Sequence, residues 1–265
     1  MKIKPKKSLG QNFLIDEKLL ELIANIGEIN TEDTILEVGA GTGNLTEKLI
    51  YKKPKKIIAI EKDENLCKIL NDKFGEKENI KILNENIIKI NEEKITNEKI
   101  IIYGNLPYNI STQLLAKWIK LKNLNKICKK MILMFQKEVA NRIIAKVNST
   151  NYGRLSIISN WRLNVEKVMD ISSSCFYPKP KVESTLLKFT PKAKYFSINY
   201  SKNLEMITRI FFSQRRKKIK NSFKKIFKNY RTISEKLDID LNLRPQNISS
   251  ETYYKITKEY ENLRS

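Results

Sequence analysis

The stretch TILEVGAGTGN, from Thr34 to Asn44, decides the fold of this chain. Its first five residues form a short run with β-branched residues that is typical of a strand, and three glycines at alternate positions follow before a helical pattern over Asn44 to Leu49. A strand, a glycine turn and a helix in this order are typical of a parallel α/β sheet, in which ligands bind beyond the carboxyl ends of the strands. The stretch therefore predicts an α/β fold with a ligand site at the glycine turn.

The same alternation of strands and helices continues along the chain. Short β-branched runs predict four more strands, at Ile57 to Ile60, Ile80 to Leu83, Ile100 to Tyr103 and Met131 to Phe135. Two longer extended segments, roughly Ser156 to Met169 and Val182 to Thr190, predict an antiparallel edge. Beyond Pro191 helical patterns with dense basic charge replace the strands. We therefore predict an α/β domain at residues 1–190 and a small all-helical basic domain at residues 191–265.

The acidic residues of the first two strands indicate the kind of cofactor. The spacing E-x-G-x-G-x-G differs from the dinucleotide fingerprint G-x-G-x-x-G, and Glu37 would repel a pyrophosphate, so a cationic cofactor suits it better. Gly39 and Gly41 let a ligand approach the backbone. Glu61 ends the second strand, where a carboxylate can accept both ribose hydroxyls of an adenosine, although NAD enzymes share this feature. Together these residues predict an adenosine site.

Two other segments bear on the same site. Asn86 follows the third strand, where it either reaches the adenine edge of the cofactor or caps the loop. Gln11, Asn12 and Leu14 precede the first helical pattern. They contribute only if the N-terminal arm folds back over the cofactor, which sequence alone does not show.

The motif Asn105-Leu106-Pro107-Tyr108 indicates a reaction. The amino nitrogen of adenine is a poor nucleophile, and two acceptors, the Asn105 side-chain carbonyl and the Leu106 backbone carbonyl, can take both of its N–H bonds. Pro107 biases the loop towards an extended conformation, and Tyr108 offers a flat face for a base. The alternative is an ordinary turn after a strand.

The charge of the chain points to a polyanionic partner. Lys+Arg 51 against Asp+Glu 29 leaves a net charge of +22, which favours RNA or DNA over the alternative that coding bias has enriched lysine. A basic run predicts phosphate contacts on one face of a helix whose other face includes Ile219 and Phe223; the alternative is a merely solvated face. The candidate RNA-binding residues of this run are Arg215, Arg216, Lys217, Lys218 and Lys220.

The three cysteines are far apart and lack the paired spacing of a disulfide framework or zinc site. We expect no metal and a reducing compartment, the cytoplasm. No apolar run approaches the length of a membrane span, so we expect no membrane contact. Nothing in the sequence demands more than a monomer.

These motifs together resemble the ribosomal RNA small-subunit adenine N6,N6-dimethyltransferases, and the resemblance runs nearly end to end. It rests on KKSLGQNFL at Lys6 to Leu14, EVGAGTGNLT at Glu37 to Thr46, Glu61, GNLPYNIS at Gly104 to Ser111, FQKEVA at Phe135 to Ala140, YGRLS at Tyr152 to Ser156, FYPKPKVES at Phe176 to Ser184 and FFSQRRKKIKNSF at Phe211 to Phe223.

The resemblance implies a Rossmann-like class I methyltransferase fold with a seven-stranded sheet and a small helical C-terminal domain. It implies methylation of two adjacent adenosines in small-subunit ribosomal RNA, free or in a partly assembled subunit, with S-adenosylmethionine as cofactor. The implied cofactor contacts are Asn12, Leu14, Gly39, Glu61, Asn86 and Asn105. Phe176 is implied to stack on the target adenine opposite Tyr108; the alternative is a core aromatic. A role in small-subunit biogenesis is also expected.

The chain departs from the family pattern at two positions, where Ala40 replaces a usual proline and Asn86 replaces an aspartate. The second change exchanges a charge-assisted hydrogen bond for a neutral one of roughly half the strength, which predicts weaker cofactor affinity with activity retained.

Two rival functions remain open. A DNA adenine methyltransferase would share the logic of the Asn105 motif but not FYPKPKVES or FFSQRRKK. A non-catalytic role in ribosome assembly or transcription would use the fold as a nucleic-acid-binding platform.

Overall fold

The structure is a computed structural model that describes residues 5–6, 9–95 and 98–264. Its chain divides into two compact units. The first unit comprises the described residues up to Ala140 together with Glu166–Pro191. The second comprises Asn141–Val165 and the described residues from Lys192 onwards.

Nine strands occur in the described residues: β1 (Phe13–Leu14), β2 (Thr34–Val38), β3 (Lys56–Glu61), β4 (Ile80–Asn84), β5 (Ile100–Gly104), β6 (Cys128–Gln136), β7 (Leu163–Ile171), β8 (Phe176–Tyr177) and β9 (Ser184–Pro191). Seven of them form one sheet in the order β4-β3-β2-β5-β6-β9-β7. The pairs from β4 to β6 are parallel, and β9 runs antiparallel to β6. Strands β1 and β8 form a separate two-stranded antiparallel sheet.

The described residues also form eleven α-helices: α1 (Glu17–Ile26), α2 (Asn44–Tyr51), α3 (Glu64–Phe74), α4 (Tyr108–Ile119), α5 (Leu124–Ile127), α6 (Lys137–Ile143), α7 (Arg154–Arg162), α8 (Ser201–Phe212), α9 (Lys220–Ile226), α10 (Tyr230–Lys236) and α11 (Ser250–Asn262). Each of these helices is either too short or too polar to span a lipid bilayer.

The five strands predicted from β-branched runs are confirmed as β2 to β6, as are the antiparallel edge and the seven-stranded sheet. Strand β2 is buried over its whole length, Glu37 included, as expected for a central strand of a parallel sheet. Because β2 lies between β3 and β5, the carboxyl ends of these three strands bring the glycine turn, Glu61 and Asn105 to one edge of the sheet.

The prediction of an extended segment from Ser156 was wrong over its first part, which is helix α7. Ile157 and Trp161, four residues apart, are both buried, so the spacing serves one face of a helix. Ser156 accepts a hydrogen bond from the Gly153 N–H at 3.1 Å and thereby caps the helix start. Strand β7 begins only at Leu163.

The second unit includes Asn141–Val165, which the predicted division at residues 190 and 191 assigns to the first domain. Hydrogen bonds explain why this segment packs with the C-terminal helices. The Tyr152 hydroxyl donates to the Ile248 carbonyl at 3.0 Å, and the Tyr254 hydroxyl donates to the Ile157 carbonyl at 2.8 Å.

The prediction of one continuous helix through the basic run was also wrong. Helix α8 ends at Phe212 and α9 begins at Lys220, so residues 213–219 form a connection, called the basic connection below. The Ile219 N–H donates to the Leu243 carbonyl at 2.9 Å, which takes the backbone out of the helical pattern. Four consecutive cations on one helical turn would also repel each other. The predicted apolar residues Ile219 and Phe223 are fully buried.

Candidate active site

A pocket opens in the first unit at the carboxyl ends of β2, β3 and β5. All nine residues predicted to bind a cofactor line it: Gln11, Asn12, Leu14, Glu37, Gly39, Gly41, Glu61, Asn86 and Asn105. Leu106, Pro107 and Tyr108 line it as well. The structure thus brings the glycine turn, the arm and the Asn105 motif to one cavity.

The glycine turn depends on backbone angles that favour glycine. Gly41 has φ +58°, and a Cβ there would lie 3.1 Å from a ring carbon of Phe13. Gly43 has φ +82°, and a Cβ there would lie 2.6 Å from the ring of Phe74. Larger residues would therefore meet both strain and a collision. The turn presents bare backbone to the pocket.

Backbone hydrogen bonds fix the carboxylate of Glu61 at the end of β3. Its Oε2 accepts from the Gly41 N–H at 2.9 Å, and its Oε1 accepts from the N–H groups of Lys62 and Asp63 at 2.8 and 2.9 Å. These bonds use three of about four acceptor positions of a carboxylate. One position stays available to a ligand, so accepting two ribose hydroxyls requires sharing one of the backbone bonds.

Glu37 lies deeper, only 2% exposed, and its Oε2 accepts from the Thr46 hydroxyl at 2.7 Å. Burial raises the pKa of Glu37 to about 8; the hydrogen bond from Thr46 opposes the shift and the negative charge of Glu61 adds to it. A cation bound nearby would favour the charged form and lower this pKa. Glu37 therefore suits a cationic ligand.

A hydrogen bond to the backbone of Asn12 fixes the orientation of the Asn105 side-chain amide. Its Nδ2 donates to the Asn12 backbone carbonyl at 2.9 Å, and because a carbonyl only accepts, the nitrogen must face Asn12. Among the described residues none donates to the side-chain oxygen Oδ1, so this oxygen can accept from a ligand. Leu106 lies one residue before Pro107, the N-cap of α4, so its carbonyl is outside the helical hydrogen bonds.

Tyr108 is the first residue of α4 and is half-buried in the pocket wall. Its hydroxyl shares a hydrogen bond of 2.6 Å with the Ser184 hydroxyl at the start of β9. Burial raises the pKa of Tyr108, while the bond to Ser184 opposes the shift, so this residue is a neutral aromatic wall. Residues 105–108 therefore bring two hydrogen-bond acceptors, Asn105 Oδ1 and the Leu106 carbonyl, together with the flat ring of Tyr108.

The N-terminal arm, residues 9–14, folds back over the pocket, which the sequence left open. Asp63 anchors the start of the arm through two hydrogen bonds. Lys6 Nζ donates to Oδ1 of Asp63 at 2.8 Å, and Gln11 Nε2 donates to Oδ2 at 2.9 Å. Asn44 Nδ2 donates to the Leu14 carbonyl at 2.8 Å and holds the other end.

Sequence reasoning missed that Asp63 and Asn44 anchor the arm. Asp63 follows Glu61 closely and caps α3, which is the only local signal it carries. Its partner Lys6 is 57 residues away, so nothing in the local pattern pairs the two.

Asn86 lies in the loop after β4, which forms another wall of the pocket. Its Oδ1 accepts from the Ile88 N–H at 3.1 Å, so it caps the short 3-10 helix Ile87–Lys89 and lines the pocket as well. The loop-cap alternative raised by the sequence is therefore confirmed, whereas contact of Asn86 with an adenine stays a prediction. Lys117 of α4 fastens the same loop, donating to the Ile87 carbonyl at 2.9 Å and to Glu92 Oε1 at 2.8 Å.

Phe176 is absent from the pocket wall formed by the described residues. It is 3% exposed and belongs to the hydrophobic cluster that contains Leu14, Leu20 and Tyr103. The predicted stacking of Phe176 on an adenine would require this ring to be uncovered first. That role stays a prediction.

The predicted RNA-binding residues lie in the second unit. Arg216, Lys217, Lys218 and Lys220 are exposed, and Lys218 Nζ donates to Asn242 Oδ1 at 2.9 Å. Arg215 differs, since it is half-buried and its guanidinium bonds to Gln246 Oε1 at 3.2 Å and to the Thr150 carbonyl. Its contacts are internal, and its role in RNA binding stays a prediction.

Comparisons with known proteins identify the class to which this fold and pocket belong. The family described as ribosomal RNA adenine dimethylase matches residues 2–262 of the chain. A curated relative from Pelagibacter ubique (strain HTCC1062), ribosomal RNA small subunit methyltransferase A, is 52% identical over 100% of both chains. A relative with the same name from Wigglesworthia glossinidia brevipalpis is 41% identical over 94% of this chain and 95% of its own.

Solved structures agree on the fold. A dimethyladenosine transferase from Plasmodium falciparum superposes with a TM-score of 0.80 at 29% identity, over 94% of this chain and 98% of that one. The 23S rRNA methyltransferase ErmE superposes with a TM-score of 0.70 at 20% identity, over 94% and 99%, which bears on the fold alone. The predicted class I methyltransferase fold is confirmed.

The chain belongs to the ribosomal RNA adenine dimethylase family. This membership confirms the resemblance stated from the sequence and the predicted class of enzyme, an rRNA adenine methyltransferase.

Proposed function

We propose that the protein transfers methyl groups from S-adenosylmethionine to N6 of two adjacent adenosines in small-subunit ribosomal RNA, giving N6,N6-dimethyladenosine. Its substrate is small-subunit ribosomal RNA, free or within a partly assembled subunit. The protein is also a small-subunit biogenesis factor and acts as a cytoplasmic monomer. The names of the two curated relatives support the small-subunit target. The observation that carries the proposal is the Asn105 amide, oriented by Asn12 with its acceptor oxygen left for a ligand.

The residues of the pocket fit S-adenosylmethionine. Glu61 is held by backbone N–H groups in a position suited to a ribose, and Asn86 lies where an adenine edge can be contacted. Glu37 supplies an acidic group for a cationic ligand, and the bare glycine turn lets the cofactor approach. When bound, this cofactor supplies an electrophilic methyl group on a sulfonium centre.

The chain's own groups prepare the adenine nitrogen for attack. Asn105 Oδ1 and the Leu106 carbonyl accept its two N–H bonds, which favours a pyramidal nitrogen and aims the lone pair at the cofactor. Tyr108 supports one face of the base. Holding the base in this orientation supplies the proximity that the reaction needs. The proton leaves after transfer, when the nitrogen has become acidic.

The second methylation uses the same acceptors with one N–H fewer. A monomethylated nitrogen can donate to Asn105 or to Leu106 but not to both, so one acceptor loses its partner in this step. The pocket must also admit the first methyl group.

The test incubates the protein with labelled S-adenosylmethionine and purified unmethylated small ribosomal subunits, followed by digestion and identification of the nucleosides. Duplex DNA is the alternative substrate, and Asn105→Ala is the matched variant that lacks the side-chain acceptor. We expect dimethyladenosine from the subunits alone, with a loss of about a hundredfold to a thousandfold in kcat for the variant, the usual cost of removing such an acceptor or donor.

Other outcomes of this test contradict the proposal in different ways. Label in DNA would assign the protein to the first rival class. Tight binding to subunits without methylation would leave a non-catalytic assembly factor. If kcat were unchanged in Asn105→Ala, Asn105 would have no part in methyl transfer, although the proposed RNA substrate would still hold.

A further inference from the structure

The register of the small sheet formed by β1 and β8 separates its four side chains into two faces. Phe13 is paired with Tyr177, and Leu14 with Phe176. Directly paired residues share a face of an antiparallel sheet, and successive residues point to opposite faces. Leu14 and Phe176 therefore share one face, and both belong to the buried cluster. Phe13 and Tyr177 share the other.

The ring of Phe13 packs against the glycine turn, and Leu14 on the other face also borders the pocket. The Phe13 ring lies 3.1 Å from the place where a Cβ on Gly41 would stand, and it lines the pocket. Phe13 is 9% exposed, whereas its partner Tyr177 is 57% exposed. The sheet therefore holds one aromatic ring inside the pocket and a second one beside it, open to solvent.

Short covalent and hydrogen-bonded steps connect Tyr177 with the Asn105 amide. Asn105 donates to the carbonyl of Asn12, which precedes Phe13 in the chain. Adding one Cα–Cα step and one cross-strand pair places the backbone of Tyr177 within about 15 Å of the Asn105 amide. A base next to the target in the RNA chain is within reach of the Tyr177 ring.

The residues that follow Tyr177 suit a polyanion. Lys179 and Lys181 are exposed in the same loop before β9. A flat exposed ring flanked by cations is the combination by which proteins hold unpaired nucleotides, with bases stacked on the ring and phosphates near the charges. Phe176 faces the buried cluster, so Tyr177 is the ring of β8 that a base reaches without any rearrangement.

We propose that Tyr177 is a stacking platform for a purine base adjacent to the target adenosine in single-stranded RNA. This inference rests on the proposed function, because the target adenosine must occupy the pocket lined by Asn105 and Tyr108. It adds a substrate contact outside the pocket. The flat ring carries the contact, and the hydroxyl contributes little to it.

The test compares steady-state methylation of unmethylated small subunits by wild type, Tyr177→Ala, Tyr177→Leu and Tyr177→Phe at saturating S-adenosylmethionine. We expect Tyr177→Ala and Tyr177→Leu to raise the KM for subunits by about five- to a hundredfold, the range given by loss of one base–aromatic stack, with kcat retained. Tyr177→Phe should keep the wild-type KM. The dissociation constant of the cofactor should be the same in all four proteins.

Tyr51→Ala is the matched control, because Tyr51 is 69% exposed in the same unit, at the end of α2. It should behave as wild type. An unchanged KM in Tyr177→Ala would overturn the stacking role, and so would a Tyr177→Phe variant as weak as Tyr177→Ala, since the hydroxyl would then be the contact. A wild-type protein that does not methylate subunits would overturn the proposed function itself, an outcome separate from these.

Discussion

The pocket of the first unit and the basic connection of the second unit hold their polar side chains in opposite ways. In the pocket, Glu61 is fixed by three backbone N–H groups and Asn105 by the Asn12 carbonyl. In the basic connection, Arg216 and Lys217 are exposed to solvent. The pocket is pre-organised for one ligand geometry, whereas Arg216 and Lys217 of the connection offer charge without a fixed geometry.

This difference implies different costs of substitution. A buried polar group that loses its partner keeps its full desolvation cost, whereas an exposed cation loses only a screened interaction. Single changes in the pocket should therefore have large effects, and single changes in the basic connection small ones. Arg215 tests this distinction, because it belongs to the connection by sequence but bonds internally.

The largest expected effect concerns the stability of the protein without cofactor. The pKa of Glu37 is raised from 4.5 to about 8, so the folded state keeps a proton that the unfolded state has released. Stability contributed by this group is complete below pH 4.5 and declines as pH rises towards 8, by roughly 3–5 kcal/mol in all. In Glu37→Gln, the free energy of unfolding should not show this decline with pH.

Denaturant unfolding of wild type and Glu37→Gln between pH 5 and 8.5, followed through the fluorescence of the buried Trp118 and Trp161, measures the difference in slope. S-adenosylmethionine should flatten the wild-type slope, because a cation beside Glu37 favours the carboxylate. Parallel slopes for the two proteins without cofactor would show that Glu37 titrates normally in the fold.

Arg215→Ala should destabilise the second unit by roughly 2 kcal/mol, since the guanidinium bonds Gln246 and the Thr150 carbonyl from a half-buried position. Arg216→Ala, its exposed neighbour, should leave stability within about 0.5 kcal/mol of wild type and weaken RNA binding in a salt-dependent way. Thermal unfolding and RNA titrations at two salt concentrations distinguish the two. If both variants were equally stable, the internal hydrogen bonds of Arg215 would not contribute to the stability of the second unit.

Much of the pocket could be predicted from the sequence because its parts are local. The glycine turn and residues 105–108 each follow a strand and Glu61 ends one, and parallel strands bring their carboxyl ends together. The arm could not be placed in this way, since Asp63 and Lys6 meet only in the folded chain. The basic run was predicted as a helix because its apolar spacing is helical, but the Ile219 bond to Leu243 is a tertiary interaction that overrides the pattern.

The anchoring of the arm predicts an intermediate effect on cofactor binding. Asp63→Asn keeps an acceptor for the Asn65 N–H but loses the charge that holds Lys6 and the oxygen that holds Gln11. We expect the dissociation constant of S-adenosylmethionine to rise about tenfold, the cost of one or two such bonds, and proteolysis of the arm to become faster.

Asp33→Asn is the matched control, because Asp33 is buried and paired with Lys129 at the other end of β2. Cofactor affinity should be unchanged in it. If both variants bound the cofactor as wild type does, the bonds of Asp63 would have no bearing on the pocket.

The smallest effect is expected at Asn86, where this chain departs from the family pattern. Its Oδ1 already caps Ile88, and Asn86→Asp keeps that cap while adding a charge to the pocket wall. A charge-assisted hydrogen bond to the cofactor should lower its dissociation constant about fivefold, with kcat unchanged. Asn91→Asp is the control, since Asn91 caps the next 3-10 helix through the Glu93 N–H from an exposed position. A gain in affinity shared by both variants would reflect the added charge in general, and no gain in Asn86→Asp would remove Asn86 from adenine recognition.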